Sequence, residues 1–409
     1  MKINCISRKI SPEVPVLLAG YGKNIEAQGI HDDLYLSGIF FDDGRTRSLL
    51  LSYDLLGLDE DSIREIKRRC SEKLGIPSVS IIISCTHTHS GPHTRKLADS
   101  PFDEKYIKYL IGETVNAMDE AFCCMQEVDV FHYSTSCREN VNRRIILPDN
   151  SCKSLPVNKH LAKLADGITD EEIGIIFFVM KDTEDPVAVI VNYAAHPLTS
   201  QSGGLSSRMI SADYPGVLRK EIERELGASC IFCSGACGDI HPEGFENGFE
   251  RTTEMGKALS TKIIDSFFDA VRNREIYQMH QSFIKNSSIG VEVYFRKTPC
   301  LEKRLPLYEG LDKTILELQF LAIGDICFVG VPGELLAEPG LEIKWHSPFR
   351  KTYILYNSTA YISYICHANA FVSGGYEAET SHLEPLAAFK MVSHTVNELF
   401  RLKNEGALK

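Results

Sequence analysis

The sequence predicts an α/β fold in which mixed β-sheets are covered by helices in one large domain. Three observations point there. Apolar runs of strand length, such as IGIIFFV (173–179) and VAVIVNYAA (187–195), lack the alternation of half-exposed strands, so both of their faces must be covered. Stretches with apolar residues three and four apart lie between such runs, as amphipathic helices do. The later part of the chain is richer in strands than a regular strand–helix series, which makes the sheets mixed rather than all parallel.

The elements follow in order. SLLLSYDLL (48–56) reads as a strand. DSIREIKRRCSEKLG (61–75) places Ile63, Ile66, Cys70 and Leu74 on one helical face, with Gly75 as its stop. VSIIIS (79–84) is the next strand. A helix over about 103–123 turns Ile107, Leu110, Ile111, Val115, Met118 and Phe122 inward. VDVFHYS (128–134) and the runs 173–179 and 187–195 are strands. YPGVLRKEIERELG (214–227) is a helix with Pro215 near its start and Gly227 after its end. SCIFCSG (229–235) is a strand, and a helix over about 250–272 follows. Strands are expected at 289–296, 314–324, 326–333 and 353–358, and a last helix at about 385–402, opened by Pro385. The stretches 145–170 and 297–312 are polar breaks, and no repeat is visible.

Composition narrows the function. The chain has 409 residues, 44% hydrophobic and 24% charged, as soluble globular proteins do. With 44 basic and 55 acidic residues its net charge of −11 disfavours nucleic acid and anionic membrane surfaces as partners. No segment approaches the ~20 apolar residues that span a bilayer, and the N-terminus lacks the apolar core of a signal peptide. Thirteen cysteines without paired spacing, several inside apolar runs, fit a reduced cytoplasmic protein. Cys233 and Cys237 have the wrong spacing for a zinc knuckle.

Three of the 13 histidines fall in SCTHTHSGPH (84–93), at the end of a buried strand. Alternate side chains of an extended backbone point the same way, so His87 and His89 project together. Such a pair binds a metal, or pairs one ligand with a histidine that supports it. His196 in NYAAHP lies past another buried strand, and ligands gather at the carboxyl ends of strands in α/β proteins. In SGACGDIHPEG (234–244), Gly235 and Gly238 can turn N–H groups toward an anion, while Asp239 and His241 can act as a base or orient one. Glu334 in VPGE opens a helix, where a carboxylate is favoured by the dipole; as a metal ligand it adds the charge that imidazoles lack. Tyr361 and Tyr364, three apart, read as a core aromatic pair or as part of the site.

Taken together, THTHSGP, NYAAHP, CGDIHPE, VPGE and YISY followed by GGYEAE resemble, in the same order, the motifs of the neutral, non-lysosomal ceramidases. The resemblance runs from GIHDDL (29–34) to YEAE (376–379). It implies one Zn2+ held by His87, His196, Glu334 and Tyr364, with His89 beside the metal. It also implies Arg143, in VNRR, and Tyr376 near the substrate carbonyl. The chemistry implied is hydrolysis of an amide or ester by zinc-activated water, with His89 or His241 moving the proton and Arg143 and Tyr376 stabilising the oxyanion. Two departures matter: the family's GDVSPN serine is His241 here and its asparagine is Glu243. The resemblance therefore carries neither ceramide nor a serine-centred mechanism to this chain, and the substrate is expected to be a small-molecule or lipid-like acyl compound. The chain also ends soon after the YEAE motif, so the family's additional C-terminal β-domain is expected to be absent, with residues 1–409 forming one hydrolase domain. Two alternatives remain: an amidohydrolase barrel, which needs eight parallel strands in a ring, and a scaffold that binds metal or ligand without turnover.

Overall fold

Each long apolar run folds into a strand whose two faces enter different cores. In the strand Glu172–Met180, Ile175 and Phe177 face a helix-covered layer, while Ile176 and Phe178 face a second sheet. The computed structural model describes residues 1–20, 25–95, 103–121, 123–155, 161, 164–201, 207–245, 247–280, 283–296 and 310–407.

Three times, the chain builds the same unit of three antiparallel strands, a helix, a fourth strand parallel to the third, and a closing helix. The first unit uses Lys2–Lys9, Tyr35–Asp42, Arg47–Tyr53, helix Glu60–Leu74, strand Ile81–Cys85 and helix Glu104–Ala117. The second uses Gln126–Ser136, Glu172–Met180, Pro186–Tyr193, helix Asp213–Leu226, strand Ser229–Ser234 and helix Phe249–Arg272. The third uses Ile284–Tyr294, Lys313–Ile323, Ile326–Gly330, helix Ala337–His346, strand Lys351–Leu355 and helix Ala387–Ala407. Units one and two join edge to edge through Lys2↔Glu127 and Ile3↔Gln126, making one eight-stranded mixed sheet.

Each unit's two helices cover the outer face of its own sheet, giving three peripheral cores. The inner faces of all three units meet in a fourth core, with Ile39 and Phe41 from the first, Ile176 and Phe178 from the second, and Leu321 and Phe328 from the third. Helices cover the sheets in one domain, as expected, but each sheet's inner face lies against another sheet. This strand order is not a ring of eight parallel strands, so the barrel alternative fails. A buried ion pair also ties two units, with Arg219 reaching Asp54 at 2.7 Å.

Boundaries shift by a few residues. Val79 and Ser80 belong to a 3-10 turn, Ser78–Ser80, and the strand begins at Ile81. The helix expected to 123 ends at Ala117 and continues as a 3-10 turn; Phe122 lies outside the described residues, as does most of the stretch 297–312. Gly75 and Gly227 cap their helices in the left-handed region at φ 65° and 66°, where a Cβ is disfavoured. No helix among the described residues is long and apolar enough to cross a membrane.

Candidate metal centre

Side chains and carbonyls from six loops meet at one point, and every loop follows the third or fourth strand of a unit. The loops after the third strands bring the Leu56 carbonyl, His196 and Glu334. Those after the fourth strands bring His87 and His89, then the Cys237 carbonyl and His241, then Tyr356, Tyr361 and Tyr364.

The expected route for His87 and His89 needs correction. The strand stops at Cys85, and His87 takes φ 72°, a left-handed turn rather than an extended one. That turn, held by the His87 amide on Leu55 O at 2.9 Å, buries the ring and sets its Nδ1 2.7 Å from Leu56 O. A carbonyl at that distance keeps the proton on Nδ1 and leaves Nε2 with its lone pair. His196 repeats the device, its Nδ1 lying 2.6 Å from Cys237 O, and its Nε2 is buried without a hydrogen-bond partner. His89 directs Nδ1 at Gly20 O, at 3.1 Å, and its Nε2 stands 3.3 Å from that of His87. The two histidine sites, expected on one sheet edge, are not on one: their strands lie toward opposite ends of the eight-stranded order, and the sheet folds back to join them.

Glu334 is 2% exposed. It does not open a helix. It lies in a two-residue strand, Glu334–Leu335, paired in parallel with Tyr364–Ile365, and the helix starts at Ala337. Its Oε2 stands 3.4 Å from His196 Nε2 and 3.6 Å from His87 Nε2, and accepts a bond from Tyr356 Oη at 3.0 Å. Tyr361 Oη donates to Oε1. Burial opposes ionisation and the hydrogen bond from the Tyr361 hydroxyl favours it; the carboxyl is held well below the usual range. Burial pushes the His87 imidazole down to about 3 and that of His89 well below its ordinary value, so both are neutral. Burial also raises Tyr356, Tyr361 and Tyr364 well above ordinary phenols.

Three imidazole nitrogens within 4.8 Å of one another, with lone pairs converging on a buried carboxylate, repel unless a cation lies among them. Zinc with ligands at ~2.0–2.2 Å asks for ligand–ligand separations of ~3.3–3.6 Å in a tetrahedron, and the carboxylate's separations of 3.4 Å from His196 and 3.6 Å from His87 match. This donor set fits the ion. Tyr364 Oη, the fourth expected ligand, accepts from Arg143 at 3.1 Å.

Arg143 lies between the short strands Asn140–Asn142 and Arg144–Ile146, and the pairing of Ile240 with Asn142 brings it beside His241. Its guanidinium donates to Glu377 Oε1 at 2.5 Å, His241 Nε2 at 2.6 Å, Gly238 O at 3.0 Å and Tyr364 Oη at 3.1 Å. One of its five N–H groups is left over. Because a guanidinium only donates, His241 accepts at Nε2 and carries its proton on Nδ1, a buried atom without a partner. Burial, then Arg143, hold the His241 imidazole well below its ordinary value. Tyr376 is 52% exposed, with its ring 5.7 Å from that of Tyr364 and 5.4 Å from Arg143 Cζ.

Other expectations in this region change. The amides of Gly235 and Gly238 do not await an anion: they donate to Tyr193 O and Leu335 O, both at 2.9 Å. Asp239 accepts from the Ala337 amide and Asn142, and is structural. Glu243 is exposed. Sequence reading assigned no role to Glu377, which holds both Arg143 and Arg144, nor to Tyr356 and Arg95. Glu377 does sit inside the quoted YEAE, next to Tyr376.

No protein-family model matches the chain. Neutral ceramidase of Pseudomonas aeruginosa is 25% identical over 195 residues, 43% of this chain and 28% of that protein, so the match spans under a third of the relative's length. The crystal structure of neutral ceramidase from Pseudomonas aeruginosa aligns over 99% of this chain and 74% of that one, with a TM-score of 0.80 at 17% identity. A ceramidase complexed with C2 gives 0.81 at 17% identity, over 99% and 75%. The similarity to neutral ceramidases expected from the motifs is borne out, and the chain has their fold.

Proposed function

We propose that the protein is a zinc-dependent hydrolase that cleaves an amide or ester bond, and that residues 1–409 act as one catalytic domain. One Zn2+ is held by His87, His196, Glu334 and Tyr364, with His89, Arg143, His241 and Tyr376 around the substrate. The observation that carries this reading is the buried, partnerless Nε2 of His196, which stands 3.4 Å from a buried ionised carboxylate. An unmet lone pair in that place is costly unless a ligand takes it.

Bound there, zinc supplies Lewis acidity that polarises a carbonyl and makes water nucleophilic near neutral pH. The carbonyls of Leu56 and Cys237 orient the two imidazoles. The hydroxyls of Tyr356 and Tyr361 keep Glu334 ionised in a buried place. Arg143, fixed by Glu377, favours negative charge on the Tyr364 oxygen. His89, neutral and with Nε2 turned inward, receives a proton. The unpartnered Nδ1–H of His241 is the donor free to meet developing negative charge, where losing one such donor costs roughly 10²–10³ in rate. The relatives named above are ceramidases; the acyl compound taken here differs from theirs where His241 replaces serine. A cytoplasmic location is supported by cysteines that sit singly in apolar cores, among them Cys70, Cys85, Cys230 and Cys327, all free.

The test joins metal and turnover. Elemental analysis of the purified protein is expected to find about one zinc per chain, and a panel of N-acyl amines and simple esters to find turnover. His196→Ala is expected to lose both together. Full zinc retention by that variant overturns the ligand assignment, and zinc without turnover on the whole panel replaces the hydrolase with a binding scaffold.

A further inference from the structure

We propose that Arg95 is the recognition site for a carboxylate on the substrate, so that the compound cleaved is an N-acyl molecule bearing an acidic group, such as an N-acyl amino acid. The inference rests on the hydrolase reading for the word cleaved and on geometry for the rest.

Arg95 follows the histidine loop and turns back over the site. Its Cζ lies 3.8 Å from the centre of the Tyr361 ring, a stacked guanidinium. Tyr361 is the residue whose hydroxyl donates to Glu334, so the cation stands one aromatic ring away from the proposed metal ligand. The arrangement is braced from below. Thr94, fully buried, donates to Gly57 O at 2.6 Å, and Gly57 lies so close to the Tyr361 ring that a Cβ there would fall 2.6 Å from Cδ2. Tyr361 thus touches both the Gly57 backbone and Arg95.

Among the described residues Arg95 has no anion beside it: no carboxylate or carbonyl there accepts from its guanidinium, and its Nε is buried without a partner. The buried arginines, Arg143, Arg144 and Arg219, each hold a carboxylate at 2.5 to 2.7 Å. A stacked guanidinium with its edge unfilled is the geometry that takes a carboxylate through two parallel N–H bonds. A phosphate would need further donors beside the guanidinium.

Calorimetry tests this without relying on turnover. The probes are N-acyl amino acids of short and long acyl chain, each paired with its neutral carboxamide, and inorganic phosphate. On the zinc-loaded protein the acids are expected to bind at least ~10-fold tighter than their amides, as a charge-assisted pair gives. Arg95→Gln is expected to erase that ratio, and Arg95→Lys, which keeps the charge but not the planar fork, to restore part of it, with circular dichroism and zinc content as wild type. No acid preference, a preference that survives Arg95→Gln, no measurable binding of any acid, or tighter Arg95-dependent binding of phosphate each overturns the proposal. Turnover of the same amides judges the hydrolase reading separately: Arg95-dependent preference without cleavage keeps the carboxylate site and removes the enzyme, while cleavage of neutral amides without preference does the reverse.

Discussion

Glu377 is fully buried and holds two arginines at once, Arg143 through one oxygen and Arg144 through the other at 2.6 Å. Burial alone would raise its carboxyl, but the two guanidiniums pull it below the usual range. Glu377→Gln would leave two buried cations sharing no anion, and breaking a buried pair in this way costs on the order of 3–5 kcal/mol. The expected result is a large drop in the denaturant midpoint, together with loss of turnover as Arg143 leaves Tyr364 and His241; urea titration beside an activity assay measures both. At this scale the motifs made much of the site legible, because histidines after buried strands and a glutamate behind Pro-Gly are uncommon letters in uncommon places. Glu377 was not legible as a counterion. Nothing local tells that an arginine 234 residues away must be neutralised.

The short parallel ladder Glu334–Leu335 with Tyr364–Ile365 does more positioning than its length suggests, since it carries a proposed ligand on each strand. Gly238 backs it, donating to Leu335 O, and a Cβ at 238 would fall 2.8 Å from Glu334 O and 3.0 Å from Leu335 O. Backbone cannot yield there as a side-chain tip would. Gly238→Ala is expected to displace Glu334 and weaken zinc binding by roughly 10- to 100-fold, the usual cost of disturbing a ligand's support, with the fold retained; chelator competition gives the affinity. Long elements such as Phe249–Arg272 were readable from periodicity, and helix stops from Gly75 and Gly227. Two-residue ladders have no period to read. The strands Lys2–Lys9 and Tyr35–Asp42 carry a weak signal, the first because polar residues interrupt its apolar ones, the second because Ser37 and Gly38 break its run.

Across the whole molecule, the metal-free protein should be most sensitive to acid in the histidine range. Burial holds His87 at about 3 and His132 at about 4, against an ordinary value of 6.5, and lowers His89 and His241 as well. A histidine with a depressed value binds its proton in the unfolded chain before the folded one, so its contribution to stability is complete above 6.5 and falls as pH drops toward the folded value. Each such group is expected to cost on the order of 1–2 kcal/mol by pH 5. Melting temperatures of chelator-treated protein from pH 7.5 to 5 should therefore decline steeply; a flat profile would contradict the buried neutral imidazoles. The depressed carboxyls of Glu334 and Glu377 add their loss only below the carboxylate range, near 4.5. The fold class was legible at this scale, but the threefold plan was not. Its copies share pairing and order, not letters: KINCISRK, QEVDVFHYSTS and IKNSSIGVEVY begin the three units. That divergence bears on how such a protein can change over evolutionary time. Each copy keeps its ladders and its helix-covered outer face and, Arg143 apart, carries its chemical individuality in the segments that leave its parallel pair. A new donor, a new cation such as Arg95 or an exchanged histidine such as His241 can arise in one copy while the inheritance of the other two goes untouched, so the scaffold can acquire new substrates one third at a time.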